Sequence, residues 1–286
     1  MKRAMLFILT TMMVGCAEQQ VFDTATWDEP VVTTETESLN DLMAQAKWGD
    51  GKAYLKLAEY YINGQNGTKP DFMATMSMLS MAEEYGAIRT PGEYMSTLPE
   101  DNNTRIVFEA IESIESTQYE KGMELADRLI GNGYVDGYAL KGYACMEMGD
   151  TIEAKRLAML AAEQGSSLGR ALQYIIPYVH QRDMPDESVI TPLAEVVPFF
   201  YLFMAEEYLN HQSENSENEE KAVRCYLKAD ENGCLDRRGA NFLLAYMKNG
   251  GSLPLSDTEL QRLSRLAEYV RIDTATAGYD ESENDV

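Results

Sequence analysis

Residues 50–86 carry two helical patterns of apolar side chains with a glycine-rich break between them. In the first pattern Ala53, Leu57 and Tyr61 recur every four positions, which places them on one face of an α-helix. Gly64 follows this pattern, and glycine readily adopts the left-handed conformation that ends helices. The segment therefore predicts a helical hairpin, since no strand-like alternation is sustained anywhere in the chain.

The second helix of this hairpin begins after Asp71, a residue type that caps helix N-termini, and ends at Gly86. Its apolar positions are Met73, Met76, Leu79, Met81 and Ala82. One hairpin cannot bury both faces of its helices, so neighbouring hairpins must stack to complete a core. Small side chains are expected where the helices cross, at Ala53, Ala82, Ala154 and Ala162.

The order of residue types in this segment resembles a Sel-one-like repeat, a relative of the tetratricopeptide repeat. The residues that carry the resemblance are Ala53, Leu57, Tyr61, Gly64, Gly67, Asp71, Ala74, Ala82 and Gly86. Met78 and Ser80 stand where the family usually has Trp and Lys. The resemblance implies an all-α fold, a right-handed α-solenoid of stacked helical hairpins, over residues 38–272.

More divergent copies follow along the chain, as expected of a repeat protein. Their clearest endings are Ala161–Gly165 and the segment from Tyr226 to Gly233. Residues 166–198 fit the pattern poorly, and prolines there predict an irregular seam because proline cannot donate a helical hydrogen bond. These prolines are Pro177, Pro185, Pro192 and Pro198.

The N-terminus resembles a bacterial lipoprotein signal. Met1–Arg3 is basic, an apolar stretch of about a dozen residues follows, and the stretch is too short to span a bilayer. It ends at Cys16 in a sequence similar to the lipobox, although Met13 replaces the usual Leu. Residues 1–15 are therefore predicted to be a signal peptide and Cys16 the lipidated residue. Ordinary cleavage with an incidental Cys16 is the alternative.

Two polar segments flank the predicted solenoid. Residues 16–37 are Thr-rich and aperiodic, which is typical of a flexible tether, and residues 273–286 read as a disordered acidic tail. The resemblance to lipoproteins places the chain in the bacterial cell envelope. It would be lipid-anchored there, on the periplasmic side of the outer membrane.

The net charge is −23, from 47 acidic and 24 basic residues. Because phosphates need a basic face, this balance predicts no nucleic-acid partner. After the predicted cleavage, Cys145, Cys225 and Cys234 remain besides Cys16, and Cys225 and Cys234 either form a bridge or stay as buried thiols. No cysteine has a histidine at metal-binding spacing, so neither a metal nor a cofactor is predicted.

Catalytic motifs are not found in the sequence. His180 lies near Asp183 and Asp186, but no nucleophile accompanies them. Adjacent glutamates such as Glu83 and Glu84 point about 100° apart on a helix and cannot easily share one substrate. We therefore expect a protein without enzymatic activity.

The leading hypothesis is a protein–protein interaction scaffold that binds a protein or peptide of the envelope. The first helices of such hairpins line a groove, which makes their polar residues candidate partner-binding positions. These are Lys52, Lys56, Glu59, Lys141 and Glu147. Two alternatives are a cell-wall-active protein that binds peptidoglycan or β-lactams and a cation-binding acidic protein.

Overall fold

The computed structural model describes residues 37–178, 187–211 and 217–268. Within these ranges the chain forms fourteen α-helices and no β-strand, which confirms the all-α prediction. The helices are α1 (Leu39–Lys47), α2 (Gly51–Asn63), α3 (Phe72–Glu84), α4 (Pro91–Thr97), α5 (Asn103–Glu115), α6 (Tyr119–Gly131), α7 (Asp136–Glu147), α8 (Thr151–Glu163), α9 (Ser167–Ile175), α10 (Glu187–Val196), α11 (Phe200–Asn210), α12 (Asn218–Glu231), α13 (Arg237–Lys248) and α14 (Asp257–Glu268). The predicted signal peptide, Cys16, nearly all of the tether and the tail lie outside the described residues.

The hairpin of α2 and α3 forms where the sequence predicts it. Asp50 and Asp71 cap the two helices, each by accepting hydrogen bonds from backbone N–H groups of the first turn. Gly64 and Gly86 follow the helices with φ angles of 63° and 69°. A side chain at these angles would be strained, so glycine fixes where each helix ends. Gly165 and Gly233 end their helices in the same left-handed conformation.

Consecutive helices pack against one another along the described chain, with close pairs at α2–α3, α5–α6, α7–α8 and α11–α12. Helices two positions apart also touch: α5 contacts α7, and α7 contacts α9. This is the pattern of stacked antiparallel hairpins. Ala53, Ala82 and Ala154 are buried at the crossings as predicted, but Ala162 is only half-buried. Its neighbour Ala161 fills that position instead and lies against Gly169.

Helices replace much of the irregular seam predicted at residues 166–198. Ser166 caps α9 by accepting a hydrogen bond from Gly169 N at 2.8 Å, and α10 continues through Pro192. The prediction was wrong at these two helices: a serine cap starts α9, and α10 forms despite its internal proline because it packs against α9 and α11.

The first hairpin is bound to the C-terminal part of the chain. The Tyr54 hydroxyl donates to the carbonyl of Gly233 at 2.7 Å, and the Tyr85 hydroxyl donates to that of Leu235 at 3.0 Å. The two tyrosine rings stack with centroids 5.7 Å apart. In an open solenoid each unit contacts only its neighbours. These contacts join residues about 150 to 180 positions apart. The described part of the fold is therefore closed, with the first hairpin in contact with the segment that follows α12.

A buried ion pair reinforces this closure. Arg262 on α14 donates two hydrogen bonds to the carboxylate of Asp230 on α12. The same guanidinium donates to the carbonyl of Lys47 at the end of α1. Lys47 Nζ in turn donates to the carbonyl of Glu231 at 2.7 Å. Three helices from opposite ends of the chain thus meet at one side chain.

A second polar junction joins α3, α7 and α9. The Ser167 hydroxyl donates to Asp71 Oδ1 at 2.7 Å, and the Ser166 hydroxyl donates to Asp136 Oδ1. Asp136 is only 4% exposed. Burial raises the pKa of this carboxyl to about 6. The hydrogen bond from Ser166 lowers the pKa, and the nearby charge of Asp71 raises it further.

Protein stability is expected to rise as pH falls from 7.5 to 5. The folded-state pKa of Asp136 lies above its ordinary value of 3.8, so its contribution is lost as pH rises through about 6. The whole shift corresponds to about 3 kcal/mol between pH 3.8 and 6, of which about 1 to 1.5 kcal/mol falls between pH 7.5 and 5. Thermal unfolding across this range should show a flatter pH profile for Asp136→Asn. The control Asp101→Asn, at an exposed turn residue, should keep the native profile; equal slopes in both variants would contradict the assignment.

Three cysteines in the described residues are not joined in disulfides: Cys145, Cys225 and Cys234. Cys225 and Cys234 are buried, so the structure follows the thiol alternative and not the bridge. The Cys234 thiol donates to the carbonyl of Ala229 at 3.3 Å. Burial raises its pKa, which disfavours the reactive thiolate.

Candidate functional site

An acidic cleft of about 410 Å³ opens beside α5. Glu109, Glu112 and Glu115 line it, and their spacing of three residues keeps them within about a third of the helix circumference. The rest of α5 faces the core, where its buried apolar residues are Ile106, Val107, Phe108, Ala110, Ile111 and Ile114. One amphipathic helix therefore supplies both the packing and the carboxylates of the cleft.

The other side of the cleft is formed by the α5–α6 turn and by Lys121 of α6. Gly122 lets α6 approach α5 closely, because a Cβ there would lie 2.5 Å from Ile114 Cγ1. The turn itself includes Thr117, whose φ angle is 62°. A β-branched residue rarely adopts this left-handed conformation, and such strain is concentrated at functional sites.

Glu115 has the most perturbed carboxyl of the cleft. Burial raises its pKa to about 7, and the charges of Glu112 and Glu147 add to the effect. A hydrogen bond from the Tyr143 hydroxyl to Glu115 Oε1, at 3.4 Å, opposes it. Glu115 therefore changes its charge near neutral pH.

Nearby cations offset the negative charges of Glu112 and Glu109 to different extents. Burial is the main cause that raises the pKa of Glu112; Glu109 adds to it and Lys121 opposes it. Glu109 pairs with Arg105 at 2.8 Å, which offsets its charge. Among the described residues that line the cleft, Lys121 is the one basic side chain. The cleft as a whole therefore retains an excess of negative charge.

This arrangement suits the binding of cations more than bond-making chemistry. A lysine or arginine side chain placed between the carboxylates would relieve their mutual repulsion and restore part of the solvation lost by Glu115. The Tyr143 hydroxyl holds Glu115 at one end of the cleft. Among the described residues, no three His, Cys, Asp or Glu side chains meet as the ligands of a metal ion.

Two of the residues predicted to bind a partner lie on α7. The charge of Glu147 helps to raise the pKa of Glu115, but Glu147 does not line the cleft. Lys141 points instead to Asp127 of α6, with an Nζ–Oδ1 distance of 2.5 Å. Glu147 therefore acts on the cleft only through its charge, whereas Lys141 joins two helices of the fold.

The other three predicted residues lie on α2, in the first hairpin. Lys56 pairs with Glu37 at 2.7 Å, and Glu59 accepts a hydrogen bond from the Tyr94 hydroxyl at 3.4 Å. Lys52 is exposed near the start of the helix. The structure therefore divides the predicted set between the first hairpin and the helices around α7.

Three glutamates at the cleft were missed by sequence reasoning: Glu109, Glu112 and Glu115. Their spacing of three residues, opposite a continuous apolar stripe, was a usable signal of a shared helix face. His180, Asp183 and Asp186, the weak catalytic candidates, lie outside the described residues.

Comparisons with known proteins do not assign the chain to a family. No family model matches its sequence, and no match was found among curated proteins or solved structures. The resemblance to Sel-one-like repeats thus stays a prediction. Over the ranges that the structure describes, no helix is both long and apolar enough to cross a bilayer.

Proposed function

We propose that this protein is a non-enzymatic scaffold that binds a cationic segment of a partner protein. The acidic cleft is the observation that carries the proposal. Its three glutamates lie on one helix, the charge of Glu147 acts on Glu115 from outside the lining, and Arg105 and Lys121 offset only part of the total. Such a cleft favours Lys- and Arg-rich sequences through complementary charge.

The architecture proposed for this scaffold is a right-handed superhelix of Sel-one-like hairpins. Contacts of α5 with α7 and of α7 with α9 support the stacking. The bonds from Tyr54 and Tyr85 to the end of the chain support a closed form of that superhelix. A closed scaffold presents a preorganised surface, which lowers the entropic cost of binding.

A second feature that supports a protein partner is apolar. Met148, Ile152 and Met159 are exposed by 48%, 84% and 51%. Ile152 and Met159 are seven positions apart and share one face of α8, the partner helix of α7. A protein that covers this face would bury apolar surface, which a small cation cannot do.

The proposed location is the bacterial cell envelope, with a lipid anchor on Cys16. This part of the proposal depends on the N-terminal sequence and on its similarity to a lipobox. Fractionation of cells that express Cys16→Ser tests it: the variant should move from the membrane to the soluble fraction. Retention in the membrane would contradict the anchor and leave the cleft hypothesis intact.

Affinity purification after mild cross-linking tests the scaffold function. The native protein should recover a basic protein partner, and Glu112→Lys/Glu115→Lys should lower its recovery at least tenfold. Glu268→Lys is the matched control, because Glu268 is exposed at the end of α14, belongs neither to the cleft lining nor to α8, and adds the same charge change per site. Recovery should also fall as pH drops below 7, because Glu115 becomes neutral.

Circular dichroism must show that all three proteins are folded. Undiminished recovery by the double variant would contradict the cleft as the binding surface. An equal loss with Glu268→Lys would show that net charge, not the cleft, determines binding.

A further inference from the structure

A separate apolar pocket of about 200 Å³ lies between the first hairpin and the C-terminal half of the chain. Its buried lining includes Met73, Met78, Val197 and Cys234. Half-buried residues stand at its opening: Met43, Tyr61, Pro198 and Phe199. The pocket does not share lining residues with the acidic cleft.

The pocket is uncharged, and three of its polar lining groups are hydrogen-bonded within the protein. None of the described residues that line it carries a charge, although the whole chain has a net charge of −23. Ser77 Oγ donates to the carbonyl of Met73 at 2.9 Å, and Asn232 Nδ2 donates to that of Lys228 at 2.8 Å. The Cys234 thiol is bonded to the carbonyl of Ala229. An occupant therefore gains little from polar groups and most from its apolar surface.

The size of the pocket limits its occupant. Apolar cavities of about 150 Å³ bind benzene or xenon, so this pocket fits one aromatic ring or a small fused ring system. The methionines allow the walls to adapt, because their unbranched side chains change rotamer easily. Tyr61 and Phe199 add two aromatic rings to the lining.

We propose that this pocket is a binding site for a small uncharged aromatic molecule of the size of indole. Its walls come from segments more than 100 residues apart, which the Tyr54–Gly233 hydrogen bond keeps together. A bound ring would contact both segments at once. It would therefore favour the closed arrangement and raise the unfolding temperature.

Titration of the full protein with indole, followed by saturation-transfer NMR and by thermal unfolding, tests the site. Saturable binding and a rise in the unfolding temperature are expected. Ala74→Leu should lower the affinity at least tenfold, because Ala74 lines the pocket and the larger side chain fills it. Ala44→Leu, exposed on α1, is the control and should bind like the native protein.

A second variant tests the same pocket by enlarging it and not by filling it. Met78→Ala enlarges the cavity, so it should bind naphthalene more tightly than the native protein does. The absence of saturable indole binding to the native protein would overturn the proposal, as would unchanged affinity in Ala74→Leu. Neither outcome bears on the acidic cleft, whose variants are tested separately.

Discussion

Replacing Arg262 with alanine is expected to lower the free energy of unfolding by about 3–5 kcal/mol. The arginine and Asp230 are only 7% and 9% exposed, so the change leaves a buried carboxylate without its partner. It also removes the hydrogen bond to the carbonyl of Lys47, through which α14 contacts α1. Urea unfolding at pH 7.5 measures the effect.

The double variant Asp230→Leu/Arg262→Met is the control for this prediction. It removes both charges and keeps apolar volume, and such exchanges are often close to neutral. The double variant should therefore be clearly more stable than Arg262→Ala. If the single variant lost less than about 1 kcal/mol, the ion pair would behave as an exposed one, and its proposed part in the closure would be wrong.

Replacing Gly137 with alanine is expected to destabilise the protein by about 1–3 kcal/mol, although alanine favours helices. A Cβ at Gly137 would lie 2.5 Å from the carbonyl oxygen of Ala126 and 3.0 Å from Ile130 N. Both are backbone atoms of α6, so neither can turn away as a flexible side chain would. The close crossing of α6 and α7 therefore requires glycine.

Gly131→Ala provides a matched control in the same pair of helices. A Cβ at this position meets no atom within 4 Å, and the residue ends α6. This variant should be neutral or stabilised by up to about 1 kcal/mol. Thermal unfolding of both variants measures the difference; equal unfolding temperatures would contradict the close crossing.

The local structure of the first hairpin could be predicted from its sequence because its determinants are local. Asp50 and Asp71 cap the helices that follow them, and Gly64 and Gly86 adopt the left-handed conformation that ends a helix. Each of these effects acts within one helical turn. A single sequence is therefore sufficient to locate such boundaries.

The closure of the fold could not be predicted in the same way. Tyr54 donates to a carbonyl 179 residues away, and a carbonyl group is present in every residue of the chain. Arg262 lies in a polar helix whose sequence is equally typical of an exposed one. Such contacts depend on the path of all the helices between them, which local patterns do not specify.

The candidate site was predicted only in part for a related reason. Glu147 was selected as a polar residue on the first helix of a hairpin, and it does lie near Glu115. The cleft, however, depends on how closely α6 approaches α5, which Gly122 sets through contact with Ile114. The spacing of the glutamates identifies a helix face, but not the depth of the surface beside it.

Site-specific photo-cross-linking in living cells that express the protein tests the central claim, that the acidic cleft receives a cationic partner segment. A photoreactive amino acid replaces Glu112 in the cleft or, as a control, the exposed Glu268 on α14, and the cross-linked peptides are identified by mass spectrometry. The proposed function predicts a Lys- or Arg-rich peptide of one partner at position 112 and its absence at position 268. The same products at both positions, or none at position 112, would contradict it.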